Sequence, residues 1–208
     1  MGKKIGLYFG SFNPITKAHE KIALYVINHT SIEEVHFVIS PQNPHKEQKD
    51  LLDVNTRCEL VEKVCEGYNN LKLNTIELSL PIPSYTANTL KMIKTQDNVN
   101  QYYIIIGYDV FKTIQKWNNY EDILKYPIIL LPRETNDNDD DFIRHKKELE
   151  RKVNHPINIT YLQEMQILSI SSTEVRTKIK NQENIADIVN PKVLKIIEEK
   201  KLYQNGEN

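Results

Sequence analysis

Six apolar runs of strand length, separated by longer stretches of helical periodicity, constrain this chain more than any other feature. The runs are "KIGLYF" (4–9), "EVHFVI" (34–39), "LKLNTIEL" (71–78), "YYIIIG" (102–107), "IILL" (128–131) and "NITYL" (158–162). Helical patterns lie between them near 15–28, 55–66, 86–95, 109–116, 120–125 and 141–151, and two more close the chain near 172–180 and 191–201. Strand and helix in repeated alternation indicate a parallel sheet with crossover helices. A run as continuous as "YYIIIG" fits a strand buried on both faces. The expected fold is α/β, a Rossmann-like doubly wound parallel sheet. It forms one domain over 1–208, whose helical C-terminal part covers about 172–203.

The bulk numbers exclude several classes. A chain of 208 residues with 39% hydrophobic and 26% charged content is an ordinary globular domain with a sizeable core. Its net charge of −1 provides no global positive field for nucleic acid or an anionic membrane, so neither is an expected partner. No apolar stretch reaches spanning length, and "MGKKIGLYFG" lacks the shape of a signal peptide. The opening Met-Gly is no myristoylation motif, because Gly6 stands where Ser or Thr is required. Cys58 and Cys65 lie two turns apart on one predicted helix, too far for a bridge, as expected of reduced thiols in an intracellular, cytoplasmic protein; cytosol and nucleus are not distinguished. The acidic tract "ETNDNDDD" (134–141) reads as a solvated loop.

Ligands of doubly wound sheets sit at the carboxyl ends of the strands. There "YFGSFNPITKAH" places Gly10, Ser11 and Phe12 on the rim after the first strand, with Pro14 expected in the first turn of the following helix. Exposed amides and the helix dipole favour an anion, most plausibly phosphate. Thr16 and His19, three apart, fall on one face near that end. An ordinary strand–turn–helix joint explains the stretch equally well. Downstream, "ISSTEVR" (170–176) pairs Ser171 with Glu174 as a capping box, adds Ser172 and Thr173 to the first turn and places Arg176 one turn in. Two such helix starts would suit a polyphosphate.

Together "GSFNPITKAH" and "ISSTEVR" resemble the nucleotidyltransferase superfamily, whose signatures are roughly GxFxPxHxGH and ISSTxxR. "PHK" (44–46), "PSYTANTL" (83–90), "IIGYDVFKTIQKW" (105–117) and "VNPKVLKIIEEKKLY" (189–203) resemble, in order and spacing, the nicotinate mononucleotide type of the bacterial pyridine-nucleotide adenylyltransferases. One departure stands out: bacterial members carry His where this chain has Thr16, and "GSFNPIT" is the form familiar in eukaryotic members.

The resemblance implies a reaction in which the 5′-phosphate of nicotinate mononucleotide attacks the α-phosphorus of ATP and expels pyrophosphate, in NAD biosynthesis. The nucleophile is already an anion, so catalysis rests on alignment and charge stabilisation. By resemblance His19 donates to the ATP phosphates, Thr16 and Lys46 assist, and Arg176, Ser172 and Thr173 hold the β and γ phosphates. Mg²⁺ is carried with ATP. Asp109 can accept from ribose hydroxyls, and Gly107 permits close approach. Trp117 resembles the residue that stacks on the pyridine ring, Ser84, Tyr85, Thr86 and Thr89 lie where the family reads its carboxylate or amide, and Tyr108 flanks that pocket. The span 81–90 holds no Lys or Arg, so backbone donors there could accept either group, and nicotinamide mononucleotide is a possible second substrate. Competing readings are an enzyme of phosphopantetheine or CDP-alcohol synthesis and an inactive nucleotide-binding regulator.

Overall fold

The computed structural model describes residues 2–41, 51–132, 139–166 and 168–204. Six parallel strands make one sheet in the order β3-β2-β1-β4-β5-β6. They are β1 (Lys4–Gly10), β2 (Glu34–Ile39), β3 (Leu71–Asn74), β4 (Gln101–Gly107), β5 (Ile128–Leu131) and β6 (Ile159–Tyr161). The helices are α1 (Lys17–His29), α2 (Val54–Cys65), α3 (Thr86–Gln96), α4 (Tyr108–Lys112), α5 (Tyr120–Ile123), α6 (Asp139–Val153), α7 (Ser172–Lys180) and α8 (Pro191–Glu199). This is the expected Rossmann-like doubly wound architecture.

Strand alternation builds two cores, one on each face of the sheet. Val35, Phe37 and Ile39 of β2 and Ile105 of β4 face one cluster, filled by Ile22 and Val26 of α1, Leu60 and Val64 of α2 and Val193 and Ile197 of α8. Ile104 and Ile106 of β4 and Ile128 and Leu130 of β5 face the other, filled by Leu90 and Ile93 of α3, Phe111 of α4 and Leu149 of α6. The central strands therefore lack polar alternation.

Strand order reverses beside β1, which pairs with both β2 and β4. The crevice beyond the carboxyl ends of β1 and β4 is therefore the topological switch point, where doubly wound sheets bind ligands.

Several expected boundaries move. The third strand stops at Asn74, because the Asn74 side chain accepts the Ile76 N–H at 3.0 Å and turns the chain into a 3-10 segment, Ile76–Ser79. The expected helix over 109–116 divides into α4 and a separate 3-10 turn, Ile114–Lys116. Residues 139–141 of the acidic tract belong to α6; its remainder, 134–138, lies outside the described residues. Cys58 and Cys65 are free, half-buried thiols on α2, and burial pushes that of Cys65 up to about 12.

Candidate active site at the carboxyl ends of β1 and β4

Gly10 ends β1, and the turn Ser11–Pro14 carries the chain to α1. Phe12 adopts a left-handed φ of 44°, and its ring is buried among Tyr8, Phe37 and His19 with centroid distances of 5.8, 5.3 and 5.3 Å. A Cβ on Gly10 would lie 2.8 Å from that ring, so the close approach at Gly10 comes from Phe12. Phe12 thus reaches the rim through its backbone alone. Pro14 stands before the helix, after a cis Asn13–Pro14 bond, rather than in its first turn. The N-cap belongs to Thr16, whose backbone amide and hydroxyl share the capping.

Thr16 is only 1% exposed, and its hydroxyl is not presented to the rim as expected. Its N–H donates to His19 Nδ1 at 3.1 Å and its Oγ1 lies 2.8 Å from the same nitrogen. An Nδ1 that accepts from a backbone amide carries no proton, so the neutral imidazole holds its proton on Nε2. Both polar groups of Thr16 are thus engaged with His19.

The distant motif docks on this turn. Ser171 caps α7 by accepting the Glu174 N–H at 3.0 Å. The Ser172 hydroxyl donates to the Pro14 carbonyl at 2.8 Å, which occupies the proton expected to meet phosphate. Arg176 donates through Nη1 to the Asn13 carbonyl at 2.8 Å and through Nη2 to Thr173 Oγ1 at 3.3 Å. Its buried Nε meets no acceptor among the described residues.

Beyond β1 and β4 opens a cavity of about 420 Å³, lined in part by Gly10, Ser11 and Ser40 and by Ser84, Tyr85, Thr86, Lys116 and Trp117. Trp117 and the Ser84–Thr86 segment are thus brought together as expected. The cavity also contains Glu77 and Lys116, neither of which the sequence placed there. Glu77 is 2% exposed, and its two carboxylate oxygens accept from Ser84 Oγ and Thr89 Oγ1, each at 2.8 Å. Ser84 and Thr89 therefore donate to Glu77, and the fully buried Thr89 fixes the start of α3 from behind rather than reading a ligand. Lys116 supplies the fixed positive charge that the span 81–90 lacks.

Gly107 caps α4 at the end of β4, and a Cβ there would meet no atom of the described residues within 4 Å. The space beside it at the switch point is open to a ligand. Asp109 is exposed in the first turn of α4. Tyr108 departs from expectation: it is 1% exposed, its ring set against Phe142 and Tyr161 in the core and not beside the cavity. Lys46 lies outside the described residues.

Comparison with known proteins decides the family. The model of the cytidylyltransferase-like family matches residues 7–178. A protein of Christiangramia forsetii, named a probable nicotinate-nucleotide adenylyltransferase, is 38% identical over 206 residues, covering 98% of this chain and 100% of its own. The chain belongs to the nicotinate-nucleotide adenylyltransferase family, within the cytidylyltransferase-like group. Another member, from Flavobacterium psychrophilum and of the same name, is 37% identical over 203 residues, or 97% of this chain and 99% of its own. In fold, the family member from Plasmodium falciparum, a nicotinic acid mononucleotide adenylyltransferase solved with NaAD, superposes with a TM-score of 0.78 over 97% of each chain at 23% identity.

Proposed function

We propose that this protein transfers the adenylyl group of ATP to the 5′-phosphate of nicotinate mononucleotide, forming the acid dinucleotide and pyrophosphate in NAD biosynthesis. The observation that carries this reading is the cavity at the switch point, where Trp117, Tyr85 and Thr86 meet the Gly10–Ser11 rim in a chain of this family.

In the reaction a phosphate oxygen of the mononucleotide forms a bond to the α-phosphorus as the α–β bridging bond breaks, and pyrophosphate departs with the electron pair. No side chain has to remove a proton from an anionic nucleophile. Alignment and charge stabilisation supply the acceleration. His19, with Nδ1 committed to Thr16, donates from Nε2 to phosphate oxygen. Arg176, held on the Asn13 carbonyl, keeps the start of α7 against the same turn and adds positive charge. Mg²⁺ would be held by phosphate oxygens of ATP and would neutralise part of their charge, beside His19 and Arg176.

Trp117 supplies the flat surface for the pyridine ring. Lys116 on the same wall favours a carboxylate over an amide, and this supports the acid substrate. No described helix is long and apolar enough to cross a membrane.

Chromatography of products from ATP and Mg²⁺ with nicotinate or nicotinamide mononucleotide tests the reading. Rapid conversion of the acid, lost in His19→Ala, is the expected result. Conversion of phosphopantetheine instead, or ATP binding without any product, would overturn it.

A further inference from the structure

Arg57 occupies an apolar position. On α2 the buried side chains are Arg57, Leu60, Val61 and Val64, spaced as one helical face, and Arg57 is 1% exposed. Its guanidinium donates to main-chain carbonyls throughout. Nη1 reaches Ser11 and Ser40, both at 2.8 Å, Nη2 reaches Pro41 at 3.0 Å, and Nε reaches Leu52 at 3.0 Å. Burial lowers its pKa from the ordinary arginine value, against smaller raising effects of Cys58, Tyr203 and Asp53.

Two of the four carbonyls it gathers, those of Ser11 and Ser40, belong to residues of the site. Gly10 and Ile39 are partners at the ends of β1 and β2, and Ser11 and Ser40 just beyond them line the cavity. Within a trans peptide, C=O and N–H point in opposite directions. The Ser11–Phe12 bond is trans, so a Ser11 carbonyl drawn into α2 turns the Phe12 N–H away from α2. Among the described residues that N–H meets no acceptor.

Other ties hold the same turn. Asn13 Oδ1 accepts from the Leu52 N–H at 3.2 Å and from the Tyr203 hydroxyl at 2.9 Å, in addition to the contacts of Arg176 and Ser172 with the Asn13 and Pro14 carbonyls. A bulky residue at a φ of 44° persists only where its surroundings over-determine it. Three well-separated segments meet that condition here: α2 with the Leu52 approach to it, α7, and the chain beyond α8.

We propose that Arg57 is a positioning residue for adenylyl transfer: by holding the Ser11 carbonyl, within a cage completed at Asn13 by Tyr203, it aims the Phe12 N–H at a phosphate oxygen of bound ATP. The proposal rests on the adenylyltransferase reading above. It assigns a purpose to a buried cation that touches no substrate.

Steady-state kinetics of Arg57→Lys and Tyr203→Phe, with melting temperatures, provide the test. The two diastereomers of ATP carrying sulphur on the α-phosphorus serve as probe substrates beside ATP. Lysine keeps the charge but loses the planar group whose Nε and Nη2 bonds to Leu52 and Pro41 orient Nη1 on the Ser11 and Ser40 carbonyls. In Arg57→Lys, kcat is expected to fall on the order of 100-fold, with a much smaller change in KM for nicotinate mononucleotide. In Tyr203→Phe the loss is roughly fivefold. In both, the rate ratio between diastereomers moves toward one, because a misaimed donor no longer distinguishes the two α-oxygens. A merely structural defect lowers both diastereomer rates together and leaves their ratio intact. That result, or wild-type kinetics in a folded Arg57→Lys, overturns the proposal; should Arg57→Lys not fold, an unchanged ratio in Tyr203→Phe overturns it. Inactivity of the unaltered protein would instead sink the functional reading.

Discussion

Arg176 Nη1 donates to the Asn13 carbonyl at 2.8 Å, across 163 residues of chain, and so joins the two motifs. One hydrogen bond thereby places the start of α7 against the turn that follows β1. It also commits part of a side chain that sequence alone would assign wholly to phosphate. Similar commitments recur at Thr16, Ser172, Ser84 and Thr89, and each changes what a substitution should do.

His19 and Thr16 should respond very differently. His19→Ala removes a donor to charge that builds up on the phosphates, and kcat should drop about 100- to 1,000-fold. Thr16→Val removes the hydroxyl but keeps the backbone N–H on Nδ1, so kcat should fall only about two- to fivefold. Equal losses would show that the hydroxyl itself contacts substrate.

The two rim glycines should separate stability from binding. In Gly10→Ala the new methyl meets the Phe12 ring at 2.8 Å, an overpacking that costs about 1–3 kcal/mol. The melting temperature should fall by roughly 3–10 °C. Gly107→Ala has open space around it and an ordinary φ of −79°, so its melting temperature should hold or rise slightly while KM for nucleotide increases. Thermal scans beside substrate titrations would show both effects.

Lys116 should govern the choice between acid and amide. Lys116→Met keeps the length of the stem and removes the charge, and should lower the preference for nicotinate over nicotinamide mononucleotide about three- to tenfold. The ratio of kcat/KM for the two substrates is the measurement. An unchanged ratio would move recognition to the backbone of Tyr85 and Thr86.

His36 gives a pH signature far from the site. Burial lowers its pKa from the usual 6.5, against the opposing effect of the hydrogen bond that the Glu34 carboxylate accepts from it. As pH falls below 6.5 the unfolded chain takes up this proton before the folded one does, so folding weakens until the lower folded pKa is passed. Melting temperature against pH should therefore decline on the acid side of neutrality, and His36→Gln should flatten that decline.

Much of the fold was legible in the sequence. Strands β2 and β5 and helix α7 keep their expected bounds, because continuous apolar runs and a capping serine are local signals. The third strand was read too long, since its apolar pattern continues past Asn74 while an Asx contact ends it. At the site, the Gly10–Ser11 rim followed from the end of the first strand, and the grouping of Trp117 with Tyr85 and Thr86 from the family resemblance. Arg57 carried a signal that went unread: a cation spaced three, four and seven residues from Leu60, Val61 and Val64 is on a buried face. Glu77 carried none, because a carboxylate between Ile76 and Leu78 looks like the polar side of an edge strand.

The sequence by itself determined the alternating layers of strand and helix and the strand ends and helix starts at which the motifs sit. Those depend on periodicity and on caps formed within a few residues. Only the tertiary structure decided which donors remain for a ligand. Ser172 could choose the Pro14 carbonyl, Thr89 the Glu77 carboxylate and Arg57 the Ser11 carbonyl only once distant segments met. A buried polar group must find a partner wherever the packed chain brings one, and that partner is set by three-dimensional proximity, which no local pattern of residues records.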